Sequence, residues 1–154
     1  MINYFCYDTE IGIIKISEKD GKIIGLGFSD SKKEKEIEEE SESIKKAYLQ
    51  LKEYLSGKRK RFDLEIYMIG TEFQKKVWKE LLNIPYGETR SYKDIAIAIG
   101  NEKACRAVGN ANNKNPIAII VPCHRVVGSN GSMTGYAGGL NIKEKLLKIE
   151  KCSV

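Results

Sequence analysis

The chain reads as strands before Gly70 and as helices after it, and that order constrains its fold more than any other feature. Three β-rich runs, NYFCYDT, GIIKIS and KIIGLGF, stand first, separated by Thr9-Glu10 and by the turn signal Lys19-Asp20-Gly21. Strands grouped first and helices grouped later make an α+β fold. A polar stretch follows, and in its second half Ile44, Tyr48, Leu51 and Leu55 fall at helical spacing until Gly57 stops them. The charge run from Lys32 to Glu42 reads as a solvated helix face or a mobile loop, and FDLEIY can return as one more strand. This half carries no internal repeat and no motif with chemistry, so residues 1–69 are expected to form a support domain.

From Gly70 the pattern changes. Thr71 and Gln74 make a capping-box pair before a helix that carries Phe73, Val77 and Leu81 on one face. Pro85 and Gly87 break the chain. Ser91 then caps a short helix with Ile95 and Ile99 inward and Gly100 at its end. Asn101 opens another, EKACRAVGNANN, whose Ala104, Ala107, Val108 and Ala111 permit close packing. Two short helices joined by a tight glycine-containing turn read as a helix-turn-helix. Charge supports that reading. Through Gly70 there are 13 Lys+Arg against 14 Asp+Glu, and from Thr71 onward 13 against 7, so the excess of positive charge lies wholly in the second half, as a module that meets a polyanion would have it.

Composition excludes several classes. No apolar run approaches the roughly 18 residues of a membrane span. MINYFCYDTEIGII lacks a basic start followed by an apolar stretch, so a cytoplasmic protein with reduced thiols is expected. The four cysteines, Cys6, Cys105, Cys123 and Cys152, are scattered with no CxxC pair, which argues against a zinc finger or a thioredoxin-type redox centre; no metal or cofactor is expected.

The chemistry gathers in IAIIVPCHRVVG. Ile117 to Val121 reads as a buried strand that Pro122 ends, holding Cys123 firmly beside the only histidine, His124, and next to Arg125. Free cysteines are among the most buried residues and most are inert, but a thiol attacks as thiolate, and a nearby His or Arg lowers its pKa from about 8.5. Neighbouring side chains often diverge, so His124 can act on Cys123 directly or through a water. Such a base needs an orienting partner. In the last helix, which Asn141 and Glu144 cap and whose inner face is Ile142, Leu146 and Ile149, Glu150 sits at the end that the helix dipole makes unfavourable by roughly a few tenths of a kcal/mol. It is either an exposed residue on a frayed turn or the acceptor that fixes the tautomer of His124.

Taken together, GTEFQKKVWKELLNIPYGETRSYKDIA, RAVGNANNKNP, VPCHRVVGSNG and GYAGGLNIKEKLLKIE resemble the methylated-DNA–protein-cysteine methyltransferases, direct-reversal repair proteins also called O6-alkylguanine-DNA alkyltransferases. The match runs nearly without gaps from Gly70 to Glu150. The first half is similar to the family's variable ribonuclease-H-like domain in length and strand pattern only. The resemblance implies a ribonuclease-H-like N-terminal domain followed by a mostly helical, winged helix-turn-helix-like domain over residues 70–154.

It further implies a role for each matching position. Cys123 is the alkyl acceptor, taking the methyl group of O6-methylguanine, and of O4-methylthymine, in a single turnover that inactivates the protein. His124 acts through a water, Glu150 orients it, and Asn115 braces the turn that holds the thiol. Tyr92 crowds the phosphate of the target nucleotide and Arg106 fills the place the extruded base vacates, with Ser91, Ala107 and Arg125 also on the DNA-binding face. Val126, Tyr136, Ala137 and Lys143 surround the base. The implied partner is double-stranded DNA carrying O6-alkylguanine, met through the minor groove by a monomer, with no membrane involved. Where relatives often have Ser, position 137 is Ala; where some have Pro, position 118 is Ala; and Cys105 replaces a common Ala as a small packing residue. Two other readings compete: an alkyltransferase-like binding module, which lacks the reactive cysteine, and a Cys-His hydrolase turning over an acyl-enzyme.

Overall fold

The computed structural model describes residues 1–152, Cys152 by its backbone alone; the Cys152 thiol and the end of the 70–154 segment lie outside the described residues. The three N-terminal runs form an antiparallel meander of β1 (Ile2–Thr9), β2 (Gly12–Lys19) and β3 (Lys22–Gly27). Asp20 and Gly21, with φ of 53° and 81°, close the second hairpin through the left-handed backbone that a tight turn between twisted strands requires. Alternation on β2 buries Ile14 and Ile16 on one face. Over that sheet lies α1 (Glu42–Leu55), started by Ser41, whose side chain accepts from the Ile44 amide, and burying Ile44, Ala47, Leu51, Tyr54 and Leu55.

Two expectations for this half need correction. The charge run contains a short edge strand, β4 (Glu36–Glu38), paired parallel to β1, so the sheet order is β3-β2-β1-β4. Within it Glu36 is buried in an ion pair, Lys15 Nζ to Glu36 Oε1 at 2.6 Å, with Lys15 also donating to the Ser31 carbonyl. FDLEIY is no strand. It meets β3 at a single bridge, Ile23 opposite Ile66, held by the Ile23 amide on the Glu65 carbonyl and the Tyr67 amide on the Ile23 carbonyl.

The second half is helical. In α2 (Glu72–Leu81) the capping box forms, Gln74 N to Thr71 Oγ1 at 3.1 Å and Thr71 N to Gln74 Oε1 at 2.9 Å. Trp78 of α2 donates from its indole nitrogen to the Ala111 carbonyl at 2.8 Å, tying α2 to α4 (Cys105–Asn113). A two-residue strand, β5 (Arg90–Ser91), runs into α3 (Tyr92–Ala98), where Ser91 and Asp94 form a second capping box. The start of α4 differs from expectation: Asn101 to Ala104 form a turn, and Ala104 holds the N-cap position without a side-chain cap. Asn141 likewise lies inside the first turn of α5 (Leu140–Cys152) rather than capping it. Gly139, with φ of 96°, turns the chain into that helix.

An N-terminal sheet domain therefore precedes a helical domain, but one buried cluster runs through both. Leu26 of β3 joins them at the backbone, its amide donating to the Pro116 carbonyl and its carbonyl accepting from the Ala118 amide. Among the described residues no helix is long and apolar enough to cross a membrane.

Candidate active site

Ile117 to Val121 is buried as expected but is a compact turn, not a strand. Val121 donates to the Ile117 carbonyl, Ile120 to the Ala118 carbonyl and Cys123 to the Val121 carbonyl. At its centre Ile119 has φ of 72°, a left-handed backbone that a β-branched residue tolerates only at about 1–3 kcal/mol. Its buried side chain helps to offset that strain, and Asn115 clamps both ends, Oδ1 accepting from the Ile117 amide at 3.0 Å and Nδ2 donating to the Val121 carbonyl at 2.7 Å. A run of five apolar residues marks burial equally for a strand and for such a turn, so the pattern alone misassigned it.

The turn delivers Pro122 to a single 3-10 turn, Cys123–Arg125, and then to β6 (Val126–Val127), which pairs parallel to β5 with Arg90 opposite Val126 and Ser91 opposite Val127. Cys123 is 4% exposed, and burial pushes its thiol up to about 11, against the pull of the Asn115 amide and the Lys143 charge. Asn112 donates to the Cys123 carbonyl at 3.3 Å.

The residues after Cys123 form one buried network with α5. His124 Nε2 lies 2.6 Å from Glu150 Oε2, and both side chains are enclosed. Arg125 grips the same carboxylate in two places, Nε to Oε1 at 2.9 Å and Nη2 to Oε2 at 3.1 Å, while Nη1 donates to the Ile84 carbonyl. The Gly87 amide adds a bond to Oε1 at 3.0 Å, and Tyr54 of α1 donates to Oε2 at 2.6 Å. So many donors outweigh the effect of burial and hold the Glu150 carboxyl down to about 2. Burial lowers the pKa of His124 although Glu150 raises it, so the ring rests neutral. A fixed carboxylate at Nε2 demands a proton there, which leaves Nδ1, buried and without a protein partner, as the bare nitrogen.

The rest of the site lies across from this network. Lys143 is enclosed and donates to the Val126 carbonyl at 2.6 Å and to the Thr134 carbonyl at 3.2 Å, fastening the segment before α5 to the 3-10 turn. The Tyr92 hydroxyl meets Thr134 Oγ1, and the Tyr136 hydroxyl is buried near Cys123 with no protein partner. Ala137 is exposed. Gly138 has no room for a side chain, because a Cβ there would stand 2.9 Å from the Phe28 ring of the first half. Arg106 and Ala107 are exposed on α4, and Ser91 is partly buried as a helix cap.

Cys123, His124, Glu150, Asn115 and Lys143 therefore share one centre, with Tyr136 at its edge. Arg125, expected on the DNA-binding face, is buried instead: its guanidinium is spent on Glu150 and Ile84, over the Tyr86 ring. Sequence reasoning missed Tyr54 and Asn112, and each could have been flagged only as a polar group on an otherwise apolar helix face. Among the described residues no cluster of His, Cys, Asp or Glu is placed to hold a metal.

Comparison with known proteins fits this geometry. Residues 72–152 match the family model for the 6-O-methylguanine DNA methyltransferase DNA binding domain, and residues 2–68 match the ribonuclease-like domain of the same family. A methylated-DNA–protein-cysteine methyltransferase of Methanosarcina barkeri is 51% identical over 96% of this chain and 96% of its own length. The constitutive methylated-DNA–protein-cysteine methyltransferase of Bacillus subtilis is 46% identical over 99% and 98%. The crystal structure of Mycobacterium tuberculosis OGT in complex with DNA superposes with a TM-score of 0.93 at 44% identity, covering 99% of this chain and 94% of that one.

Proposed function

The chain belongs to the 6-O-methylguanine DNA methyltransferase family, and from that premise we propose how its own residues carry out direct-reversal repair of DNA by alkyl transfer. The observation that carries the proposal is the buried Cys123 thiol beside a neutral His124 whose Nδ1 alone is free. The Cys123 proton passes to His124 Nδ1 through a water, and Glu150 stabilises the imidazolium through Nε2. The thiolate attacks the methyl carbon of O6-methylguanine. The S–C bond forms as the C–O bond breaks, its electron pair stays on the base, and a proton returns to leave guanine. With its pKa pushed up to about 11 the thiol is protonated at rest, so it gives up its proton to His124 before it attacks.

The product is a thioether, and Cys105 and Cys6, the other cysteines with described side chains, lie elsewhere as free thiols, so one molecule acts once. We read α3 and α4 as a helix-turn-helix whose α4 enters the minor groove: Arg106, Ala107 and Asn110 are exposed on it, and small residues let a helix approach closely. That groove carries a degenerate code, which suits a protein that must find damage in any sequence. A base inside a duplex is out of reach of so buried a thiol, so the nucleotide is extruded at a cost of a few kcal/mol and Arg106 takes its place. Intact-mass measurement after mixing with limiting methylated duplex tests the proposal. One methyl gained per lesion is expected; binding without mass gain, or turnover beyond the protein present, contradicts it.

A further inference from the structure

The half of the chain without chemical motifs delivers one hydroxyl to the centre of the site. Tyr54 of α1 is fully buried, with Oη 2.6 Å from Glu150 Oε2 and 3.3 Å from His124 Nε2. We propose that Tyr54 is a positioning residue for alkyl transfer: by donating to Glu150 Oε2 it holds the carboxylate against His124, keeping the Nε2–H tautomer and leaving Nδ1 to take the thiol proton. The inference rests on Cys123 being the alkyl acceptor.

The geometry favours a role beyond packing. Leu51 and Leu55 share the buried face of α1, and a phenylalanine would fill the place of the Tyr54 ring as well as tyrosine does. A hydroxyl carried into a core without a partner is unfavourable, so its presence here goes with the bond it makes. On the carboxylate, Oε1 is held by the Gly87 amide and Arg125 Nε, whereas Oε2 is shared by His124, Arg125 Nη2 and Tyr54. Tyr54 thus draws on charge that would otherwise go to His124 and Arg125 alone. Tyr54 stays protonated, since burial and the Glu150 charge both raise its pKa, so it acts only as a donor. The charged and titratable groups around His124 are Tyr54 from α1, Glu150 and Lys143 from α5, and Cys123 and Arg125 from its own turn; Tyr86 packs edge-on to Tyr54. The change Tyr54→Phe removes one hydroxyl and leaves the others in place.

Without that hydroxyl, Oε2 is shared by Nε2–H and Arg125 Nη2 alone, and Nε2–H receives more of its charge. Imidazolium is then favoured, and the neutral base is lost at a higher pH. The experiment is single-turnover methyl transfer from a methylated duplex at a series of pH values, for the unsubstituted protein, Tyr54→Phe and Leu51→Val, with the unfolding temperature of each. Leu51→Val disturbs the same helix face without touching the network. Tyr54→Phe should react about tenfold more slowly at neutral pH, with the acid limb of its profile moved up by about half a unit or more. Leu51→Val should lower the unfolding temperature and leave the profile in place. A Tyr54→Phe profile whose acid limb coincides with that of the unsubstituted protein overturns the inference, whatever its rate or stability. If the unsubstituted protein gains no methyl, the assignment of Cys123 itself fails, and the same series shows it.

Discussion

At the scale of single residues the site works by contrast between neighbours. Cys123, His124 and Arg125 follow one another in one 3-10 turn, yet one is a protonated thiol, one a neutral ring and one a cation locked to a carboxylate. Replacing Cys123 by Ser removes the nucleophile and little else, because the hydroxyl cannot ionise at this buried place. Cys123→Ser should therefore gain no methyl by intact mass while its affinity for DNA, measured by anisotropy, stays nearly unchanged. A methyl gained by the Ser protein would refute the assignment. The same turn dictates how stability follows pH. His124 has a lowered pKa in the folded state, so below about 6.5 the unfolded chain binds a proton that the folded chain refuses. Glu150, down to about 2 when folded, adds a second loss once the pH falls below the ordinary carboxylate range. Both act in one direction: stability is present at neutral pH and declines on acidification, by up to about 1.4 kcal/mol per pH unit for each proton. Urea midpoints between neutral and mildly acid pH should fall steadily, and His124→Asn should flatten the upper part of that fall. A midpoint that held constant or rose on acidification would contradict the buried neutral histidine.

At the scale of elements, α4 poses the sharpest question, because its exposed Arg106 can either fill the base stack or grip a phosphate. If it fills the stack, Arg106→Ala should slow repair of duplex strongly and hardly affect reaction with free O6-methylguanine base, which needs no extrusion. Arg106→Lys should rescue only partly, since an ammonium lacks the planar face that stacks on bases. Full rescue by Lys, with a loss that shrinks at low salt, would mark a phosphate contact instead. Elements whose signals are local were legible from sequence: the hairpins, the capping box at Thr71, the cap at Ser91 and the stop at Gly57 each depend on a few adjacent residues. Those fixed by distant partners were not. The turn at Ile119 depends on Asn115 reaching over it, and β4 depends on Lys15 neutralising Glu36 from β2, two strands away in the same sheet. Of the site, the PCHR segment and the motifs around it led to Cys123, His124 and Glu150 through the family resemblance. Tyr54 stayed hidden because an inward tyrosine at helical spacing looks like any core residue, and nothing local in the sequence marks Arg125, which the resemblance put on the DNA-binding face, as a buried partner of Glu150.

At the scale of the whole molecule, the two halves share one core and one network. Leu26 bonds at the backbone to Pro116 and Ala118, Phe28 lies against Gly138, and Tyr54 reaches Glu150. We therefore expect unfolding to be a single cooperative transition, with intrinsic fluorescence of Trp78 and the loss of helix signal coinciding on a urea titration. A chain beginning at Ile69 would uncover Ile117, which Leu26 covers, and strip Glu150 of a donor, so it should fold poorly and transfer methyl groups far more slowly than the intact protein. Two separate transitions, or a truncated chain of full activity, would show that the first half is dispensable. The positive excess of the second half is independent of this coupling.

The enclosure of a lone histidine has one more consequence, which is spectroscopic. Since His124 is the only imidazole in the chain, protein grown on ring-labelled histidine carries a single pair of ring-nitrogen resonances, free of any background. Protonated and bare ring nitrogens differ widely in chemical shift, so Nε2 and Nδ1 can be told apart in solution. The same two signals can then be followed in the resting protein, on DNA and after the thioether has formed, and the site serves as its own reporter.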